Sequence, residues 1–290
     1  MGVAAILLLV VNIVYATSPV VTRLVLDDVP PITLALLRLV LGAAVLVPFG
    51  RGARATPAGQ GARVFWMGAL GFAAAFALSH WGIARSSATN AALLIVVEPL
   101  TLVILGPLLL GERLTKREAA GAAAAVAGAG LVVLNGVPGV TLDVLPRWRG
   151  DILLVLSGVA YASYSLMGRR VLHRHAPLAV TTRSLAWGAV GILPIVVAEW
   201  ASGARPVWTA PAVAGTLYLA VVISALGYVA WNWALARVSA PRAALFLNVQ
   251  PIAGALLGAL LLDEPLTGFT LVGGAAIVAG LAVAFGRAPS

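Results

Sequence analysis

The sequence predicts an all-α integral membrane protein with ten transmembrane helices, arranged as two inverted five-helix repeats. Three observations lead to this fold class. The 290-residue chain is 61% hydrophobic and only 10% charged, and its mean hydropathy is +1.02. Its apolar residues fall into ten runs, each close to the roughly 20 residues that a helix needs to cross the hydrocarbon core of a bilayer. The fourth and fifth runs recur as the ninth and tenth.

The composition excludes several classes of protein. A soluble domain carries about 25% charged residues, so the outer surface of this chain is expected to face the lipid bilayer. The sequence has no cysteine and three histidines, two of which (His173 and His175) fall in a predicted loop. We therefore expect no disulfide, no metal centre and no cofactor. The net charge of +9 is attributed to loop arginines that set membrane orientation rather than to nucleic-acid binding.

The predicted spans follow one another with short connections, which leave no room for a soluble domain. The first run begins at Gly2 without a basic region before it, so we expect a first span rather than a removable signal peptide. The predicted spans are 2–26, 31–49, 63–84, 86–110, 115–135, 150–172, 177–200, 210–235, 239–262 and 267–286.

Basic residues predict the orientation of the chain. When the N-terminus is placed in the cytoplasm, most loop arginines fall on that side, as the positive-inside rule requires. The inner residues are Arg51, Arg54, Arg63, Arg113, Lys116, Arg117, Arg169, Arg170, Arg174, Arg237, Arg242 and Arg287, against Arg23, Arg85, Arg147, Arg149 and Arg205 outside. The bias toward Ala, Gly and Arg is typical of a GC-rich bacterial genome. We therefore predict a multi-pass protein of the bacterial inner membrane with both termini in the cytoplasm.

The second half of the chain repeats the first. Residues 84–128 align without a gap with residues 236–280, a shift of 152 positions. The matched residues include Pro99 with Pro251, Glu112 with Glu264, Gly121 with Gly273, and Gly128 with Gly280. Because each half has an odd number of spans, the two copies must be inverted, as in many secondary transporters. We assign residues 1–138 to the first repeat and 139–290 to the second.

The sequence resembles the EamA-type members of the drug/metabolite transporter superfamily over nearly its whole length. The resemblance rests on an arginine in the second span of each half, on Ser-Ser-Ala-Thr-Asn-Ala at 86–91, on Pro99, and on Leu-Gly-Glu-Arg-Leu-Thr at 110–115, which recurs as Leu-Asp-Glu-Pro-Leu-Thr at 262–267. YddG-type amino-acid exporters are the closest analogy. The resemblance implies a ten-helix basket around a central cavity lined by the first, third, fourth, sixth, eighth and ninth spans.

Glu98 and Pro99 mark the predicted centre of the fourth span. A carboxylate at mid-membrane is costly and usually faces a cavity or a partner. Proline removes a backbone donor, which is expected to free the carbonyl of Ile95 for a ligand or water. Glu98 is therefore a candidate for binding a substrate amine or a coupling proton. The alternative is that it is neutral, or that it hydrogen-bonds Gln250, the matched residue of the second half, and only holds two kinked helices together.

Aromatic and hydrogen-bonding side chains share faces on several spans of that cavity set. Since lipid does not favour hydroxyl and amide groups, these faces are expected to point inward and line the substrate path; the alternative is ordinary hydrogen bonding between helices. The candidates are Asn12 and Tyr15; Phe76, Ser79 and His80; Tyr161 and Tyr164 with Ser165; Tyr228 and Trp231 with Ser224; and Asn248 and Gln250 on the ninth span. Asn248 and Gln250 share a face only if Pro251 distorts the turn.

Three basic side chains lie at least one turn inside predicted spans. His80 is expected about one turn from the outer end of its span, where an interfacial hydrogen bond is favoured over a proton relay. Arg38 and Arg183 occupy matched positions in the two halves. That symmetry favours an architectural role over binding of a substrate carboxylate.

Residues at span ends and small residues within spans indicate structural roles. Glu112 and Glu264 are interpreted as turn or cap residues, and residues 115–118 as a capping box for the fifth span. Gly121, Gly128, Gly273 and Gly280 give small helix faces, which predict close packing either within the monomer or across a dimer.

These observations favour a secondary transporter that exports small metabolites by alternating access, with neutral or aromatic amino acids as the expected substrates. The sequence contains no Gly-x-x-x-x-Gly-Lys-Ser/Thr motif, which indicates that a gradient drives transport, with protons as a candidate coupling ion. The alternatives are export of cationic drugs or other metabolites, and a channel or lipid-translocating protein. An enzyme is not expected, because membrane enzymes that act on lipid need clustered His, Asp or Glu at an interface.

Overall fold

A computed structural model of the chain describes residues 3–50, 61–110, 115–135, 137–140, 147–172, 176–235, 246 and 249–285, and these residues form a bundle of helices. The elements are α1 (Val3–Ala16), α2 (Ser18–Val25), α3 (Pro31–Gly50), α4 (Gly61–Gly68), π1 (Ala69–Ala74), α5 (Ala75–Arg85), α6 (Ala88–Leu94), α7 (Val97–Leu110), α8 (Lys116–Leu134), α9 (Trp148–Leu172), α10 (Pro177–Ala201), α11 (Ala210–Leu217), π2 (Tyr218–Gly227), α12 (Tyr228–Leu235), α13 (Val249–Leu262) and α14 (Gly268–Phe285).

Apolar helices of membrane-crossing length dominate the bundle. Within the described residues, eight segments are long and apolar enough to cross a membrane, and two further apolar helices, Val249–Leu262 and Gly268–Ala284, are shorter. On α1, the side chains of Ile6, Val10 and Ile13 form one exposed stripe, as expected of a helix that contacts lipid. The chain is a membrane protein, and the count of ten spans and their inverted arrangement stay predictions.

Two spans are broken into separate helices. In the first span, Thr17 separates α1 from α2, and its hydroxyl donates to the carbonyl of Val14 at 2.7 Å. Pro19 lies in the first turn of α2, where a residue without a backbone donor is tolerated. In the fourth span, residues 95–96 separate α6 from α7. The second break falls beside Pro99, where the sequence predicted it, whereas the first was not predicted.

Wider π-helical turns interrupt the third and eighth spans. The 152-residue shift of the repeat maps π1 onto residues 221–226, which lie inside π2. Such turns are uncommon and are found most often at functional sites. No residue pattern had predicted them, and both lie beside the central side chains described below.

Carboxylates connect helices at one end of the bundle. Glu199 of α10 accepts hydrogen bonds from the backbone amides of Ile32 (3.0 Å) and Thr33 (2.8 Å) at the start of α3. Glu264, which precedes α14, accepts hydrogen bonds at 2.8 and 2.7 Å from two amides at the start of α6. The free amides of a helix N-terminus favour a carboxylate. Glu264 is thus a cap, as expected, and the helix it caps lies in the other half of the chain.

The fifth span begins with the predicted capping box. The amide of Glu118 donates to the Oγ1 of Thr115 at 3.2 Å, and the amide of Thr115 donates to the Glu118 carboxylate at 2.8 Å. These reciprocal bonds satisfy two backbone donors that the first helical turn leaves unpaired. Glu112 lies outside the described residues.

Small residues allow α8 and α14 to pack in direct backbone contact. A Cβ atom on Gly121 would lie 2.5 Å from the carbonyl oxygen of Gly280, and one on Gly128 would lie 2.5 Å from that of Gly273. No larger residue fits at these positions without a shift of the helices. The four glycines therefore serve packing within one chain, which is one of the two alternatives predicted for them.

Candidate functional site

The broken fourth span places Glu98 in the first turn of α7. Because α7 begins at Val97, Pro99 also lies in that first turn, where the missing backbone donor costs little. The carbonyl of Ile95 was expected to be free for a ligand. It instead accepts a hydrogen bond from the amide of Glu98 at 3.3 Å, so that expectation is wrong. The break therefore positions an acidic side chain, and it does not leave the carbonyl of Ile95 as a backbone ligand.

Glu98 is half-buried and faces the sixth span. Its Oε1 accepts a hydrogen bond from the hydroxyl of Ser165 on α9 at 3.1 Å. The two helices approach closely at Gly158, where a Cβ atom would lie 2.7 Å from the Cβ of Val97. Among the residues that the structure describes, no basic side chain lies within 4 Å of the Glu98 carboxylate. In the described part of the chain, this acid thus has a hydroxyl partner and no neutralising cation.

Asn12 and Gln250 form a second polar contact, between the first and ninth spans. The Nε2 of Gln250 donates to the Oδ1 of Asn12 at 2.7 Å, and the Nδ2 of Asn12 donates to the carbonyl of Leu8 at 2.7 Å. Both side chains are buried, at 7% and 0% exposure. Within the described residues no hydrogen bond joins Gln250 to Glu98, so the predicted alternative of a Glu98–Gln250 bond is wrong.

Six rings meet between the helices and are here called the aromatic cluster. They are Tyr15, Phe72, Phe76, Tyr161, Tyr164 and Tyr228. Neighbouring ring centroids lie 4.8 to 6.2 Å apart, mostly at steep interplanar angles, the geometry that aromatic pairs prefer. Phe72 and Phe76 are fully buried, and the four tyrosines around them are half-buried. Tyr161, Tyr164 and Tyr228 contact the phenylalanine pair, and Tyr15 joins the cluster through Tyr228.

Arg38 of α3 lies against the aromatic cluster and is 6% exposed. Its guanidinium carbon is 4.7 Å from the centroid of the Phe76 ring, within the range of a cation–π contact. Its Nε and Nη2 each donate to the Oγ of Ser224 at 3.4 Å, and its Nη1 lies 3.3 Å from the Nε2 of His80. Arg183 is only half-buried. The matched positions of the two arginines therefore do not give them matched surroundings.

His80 is buried, at 1% exposure, and both of its ring nitrogens have hydrogen-bond partners, while its place near the outer interface stays a prediction. A guanidinium group has only donors, so the Nε2 of His80 must accept from Arg38. The proton of the neutral ring then sits on Nδ1, which donates to the carbonyl of Phe76 at 2.6 Å. Both ring nitrogens are occupied in this tautomer. The ring therefore holds the guanidinium in place.

Both charged side chains lie near Tyr161. Arg38 packs on Phe76, whose ring contacts that of Tyr161, and Glu98 accepts its hydrogen bond from Ser165, one helical turn after Tyr161 on α9. The structure thus brings together a buried cation, a half-buried acid and a set of rings from four predicted spans. Seven of the predicted site residues belong to this group: Tyr15, Phe76, His80, Glu98, Tyr161, Tyr164 and Tyr228.

Of the remaining predicted site residues, those that the structure describes form no ring contact or hydrogen bond with the aromatic cluster. Asn12 and Gln250 form their own pair, as described above. Trp231 packs against a small cluster formed by Leu8 and Ala234. Ser79 is half-buried, and Asn248 lies outside the described residues.

A buried acid that no motif had marked lies at the start of α9. Asp151 is fully buried, and its Oδ1 accepts hydrogen bonds from the Oγ of Ser86 and from the Nδ2 of Asn90, the latter at 3.0 Å. Its Oδ2 is buried with no hydrogen-bond partner among the described residues. The only signal in the sequence was an acid directly after Gly150, at the start of a predicted span. In the structure, a Cβ atom on Gly150 would lie 2.6 Å from the backbone of Arg85, so the two helices approach closely there.

Broken apolar helices that enclose buried charged and aromatic side chains are typical of membrane transport proteins. The chain belongs to the EamA-like transporter family, whose model matches residues 2–134 and again residues 148–286. The family resemblance seen in the sequence is thereby confirmed.

Several relatives of this chain carry transporter names. It is 32% identical over 216 residues to a "Probable terminal-alkyne amino-acid exporter" of Streptantibioticus cattleyicolor, covering 74% of this chain and 69% of that protein. It is 26% identical over 286 residues to a "Probable amino-acid metabolite efflux pump" of Escherichia coli, covering 95% and 92%. A solved crystal structure that is 24% identical has a TM-score of 0.68 and covers 98% of this chain and 97% of its own, which shows a shared fold.

Proposed function

We propose that the protein is a secondary transporter that exports small metabolites, with neutral and aromatic amino acids as its substrates. It would act in the bacterial inner membrane with both termini in the cytoplasm, as the loop arginines favour. Residues 1–138 and 139–290 would form the two inverted repeats, which alternate access to a central site. The match of each half to one family model and the related positions of π1 and π2 support this arrangement.

The observation that carries the proposal is the setting of Glu98. A half-buried carboxylate without a cationic partner attracts a ligand ammonium group strongly, because exclusion of water strengthens charge interactions. The tyrosines beside it offer ring faces to an apolar or aromatic side chain. An amino acid supplies both groups in one small molecule. The names of the Streptantibioticus and Escherichia relatives support the same substrate class.

Cationic drugs and other amine-bearing metabolites are the second candidate class, because they would satisfy the same carboxylate. A channel or a lipid-translocating protein fits less well. Either kind of protein would be favoured by a continuous polar stripe along the helices. The broken fourth span and the aromatic cluster instead form a discrete centre. Protons are the proposed coupling ion, and Glu98 would bind a proton when no amine is present.

The test is a flux panel with purified protein in proteoliposomes. Labelled leucine, phenylalanine, tryptophan, glutamate and lysine would be compared with a cationic dye, each with and without a pH gradient. We expect saturable flux of neutral and aromatic amino acids that responds to the gradient, with protein-free liposomes as the blank. Flux of another metabolite class, without flux of any amino acid, would contradict the substrate assignment.

A further inference from the structure

We propose that Arg38 binds a carboxylate of the transported substrate, and that His80 and Ser224 position its guanidinium for that contact. This inference rests on the proposed function and extends it, because it names the second charged group that the substrate must carry.

Arg38 is a buried cation that has no counter-ion among the described residues. Its neighbours Phe76, His80 and Ser224 are all neutral, as described above, and among the described residues no carboxylate lies within 4 Å of its guanidinium. Intramembrane arginines normally pair with acids or with backbone carbonyls. Here the positive charge is held only by a hydroxyl, an imidazole and a ring face. An incoming anion would therefore find an unpaired charge in a site of low dielectric constant.

The guanidinium of Arg38 also has donors to spare. A guanidinium carries five N–H groups. Ser224 receives one from Nε and one from Nη2, and His80 receives one from Nη1. One N–H on each Nη atom is thus left without a partner among the described residues. Two N–H groups in one plane match the two oxygens of a carboxylate, the bidentate geometry in which arginine binds acids most strongly.

Further hydrogen bonds to the backbone fix the two side chains that hold Arg38. The hydroxyl of Ser224 donates to the carbonyl of Leu219 at 3.0 Å, which leaves its lone pairs for Arg38. The ring of His80 is fixed through Phe76, as described above. Both anchoring contacts lie in or near π-helical turns, because Leu219 and Ser224 belong to π2 and Phe76 follows π1. The guanidinium is therefore preorganised and has little freedom to turn away from an arriving ligand.

The two charged groups fit the two ends of a zwitterion. Arg38 packs on the ring of Phe76, which contacts Tyr161. Glu98 accepts its hydrogen bond from Ser165, one helical turn after Tyr161 on α9, so both charged side chains lie near Tyr161. An amino acid would place its carboxylate on Arg38, its ammonium group on Glu98 and its side chain among the rings. An amine without a carboxylate would use Glu98 and the rings but not Arg38.

The test measures the binding of three probes that share one aromatic frame. Phenylalanine carries both charges, phenethylamine lacks the carboxylate, and 3-phenylpropionate lacks the amine. Binding to the purified full-length protein in detergent would be measured by calorimetry for the wild type, Arg38→Gln, Arg38→Lys and the matched control Arg183→Gln. The melting temperature of each variant reports whether it is folded, and Arg38→Lys keeps the charge if Arg38→Gln fails to fold.

We expect Arg38→Gln to weaken the binding of phenylalanine and 3-phenylpropionate by about 10- to 100-fold, the effect of losing a charged hydrogen bond. Binding of phenethylamine should not change. Arg38→Lys should recover part of the loss, because it restores the charge but not the planar fork. Arg183→Gln should bind all three probes like the wild type.

Equal losses for all three probes in the folded Arg38 variants would show a purely architectural residue and overturn the proposal. Unchanged binding of the two carboxylate probes would overturn it as well. Binding of 3-phenylpropionate that depends on Arg38, without binding of any amino acid, would support Arg38 and refute the amino-acid assignment. Binding of phenethylamine alone would overturn the role of Arg38 and leave a transporter of amines.

Discussion

The side-chain amide of Gln250 donates a hydrogen bond to the Oδ1 of Asn12 at 2.7 Å, and both side chains are buried. Gln250 and Glu98 occupy matched positions in the two repeats of the sequence. The amide is used to join the first and ninth spans, whereas the acid contacts Ser165. The two copies have therefore diverged in role. The amide connects helices within the protein, and the acid is the side chain that we propose meets the ligand.

Breaking the Asn12–Gln250 contact should destabilise the protein. Asn12→Leu leaves the amide of Gln250 buried without its acceptor, and Gln250→Leu leaves Asn12 without its donor. Each single variant should cost about 1 to 3 kcal/mol of unfolding free energy. The double variant should cost less than the sum of the two, because no unpaired group is left. Strict additivity in thermal or denaturant unfolding would contradict the hydrogen bond.

Adding a methyl group at the contact between α8 and α14 should push the two helices apart. A Cβ atom on Gly121 meets the backbone of α14 at 2.5 Å, whereas one on Gly130 of the same helix has no atom within 4 Å. Gly121→Ala should lower the melting temperature by several degrees. Gly130→Ala should be neutral or stabilising by up to about 1 kcal/mol, since alanine is the better helix former. Equal effects of the two changes would argue against direct backbone contact.

Removing the carboxylate of Asp151 should weaken the junction between α6 and α9. Asp151→Ala leaves the donors of Ser86 and Asn90 without an acceptor, at an expected cost of about 1 to 3 kcal/mol. Asp151→Asn should cost less, because an amide oxygen can still accept and no buried charge remains. Asp27→Ala is the control, since the Asp27 side chain is 66% exposed and surface ion pairs contribute little. A melting temperature of Asp151→Ala that is equal to or higher than that of Asp151→Asn would refute this role.

Crowding Tyr15 should impair transport through the aromatic cluster. A Cβ atom on Gly227 would lie 2.5 Å from the Cε1 of Tyr15 and 2.9 Å from its hydroxyl oxygen. Gly227→Ala should therefore displace the ring and reduce aromatic amino-acid flux by about tenfold, about 1.4 kcal/mol of lost interaction. If the effect acts through the ring, Gly227→Ala should add nothing in a Tyr15→Ala background. Additive losses of flux in the double variant would show that Gly227→Ala does not act through the Tyr15 ring.

The hydropathy pattern predicted most of the fold because each span needs only local information, its length and its apolar composition. The span predicted at 210–235, for example, begins and ends where the structure has α11, π2 and α12. The centre was harder to predict. The place of His80 in its span did not reveal its partner, because Arg38 lies 42 residues away in sequence. No residue pattern marked π1 or Phe72, because a wide helical turn depends on its packing partners.

Dependence on packing partners elsewhere in the chain also explains the two incorrect expectations at the broken fourth span. Pro99 correctly predicted a break, but its geometry there depends on where α7 restarts. Since α7 restarts at Val97, the amide of Glu98 is near enough to bond the carbonyl of Ile95. The partner of Gln250 likewise depends on how the first span crosses the ninth, which the repeat does not specify.

The decisive measurement is the uptake of labelled phenylalanine by proteoliposomes that hold either the wild type or Glu98→Gln, each with and without a pH gradient. Asp27→Asn serves as the matched control for loss of an acid. The proposed role of Glu98 predicts at least a tenfold loss of flux, the cost of one charged hydrogen bond, and loss of the response to pH, with Asp27→Asn like the wild type. Full transport by Glu98→Gln that still depends on pH would contradict it.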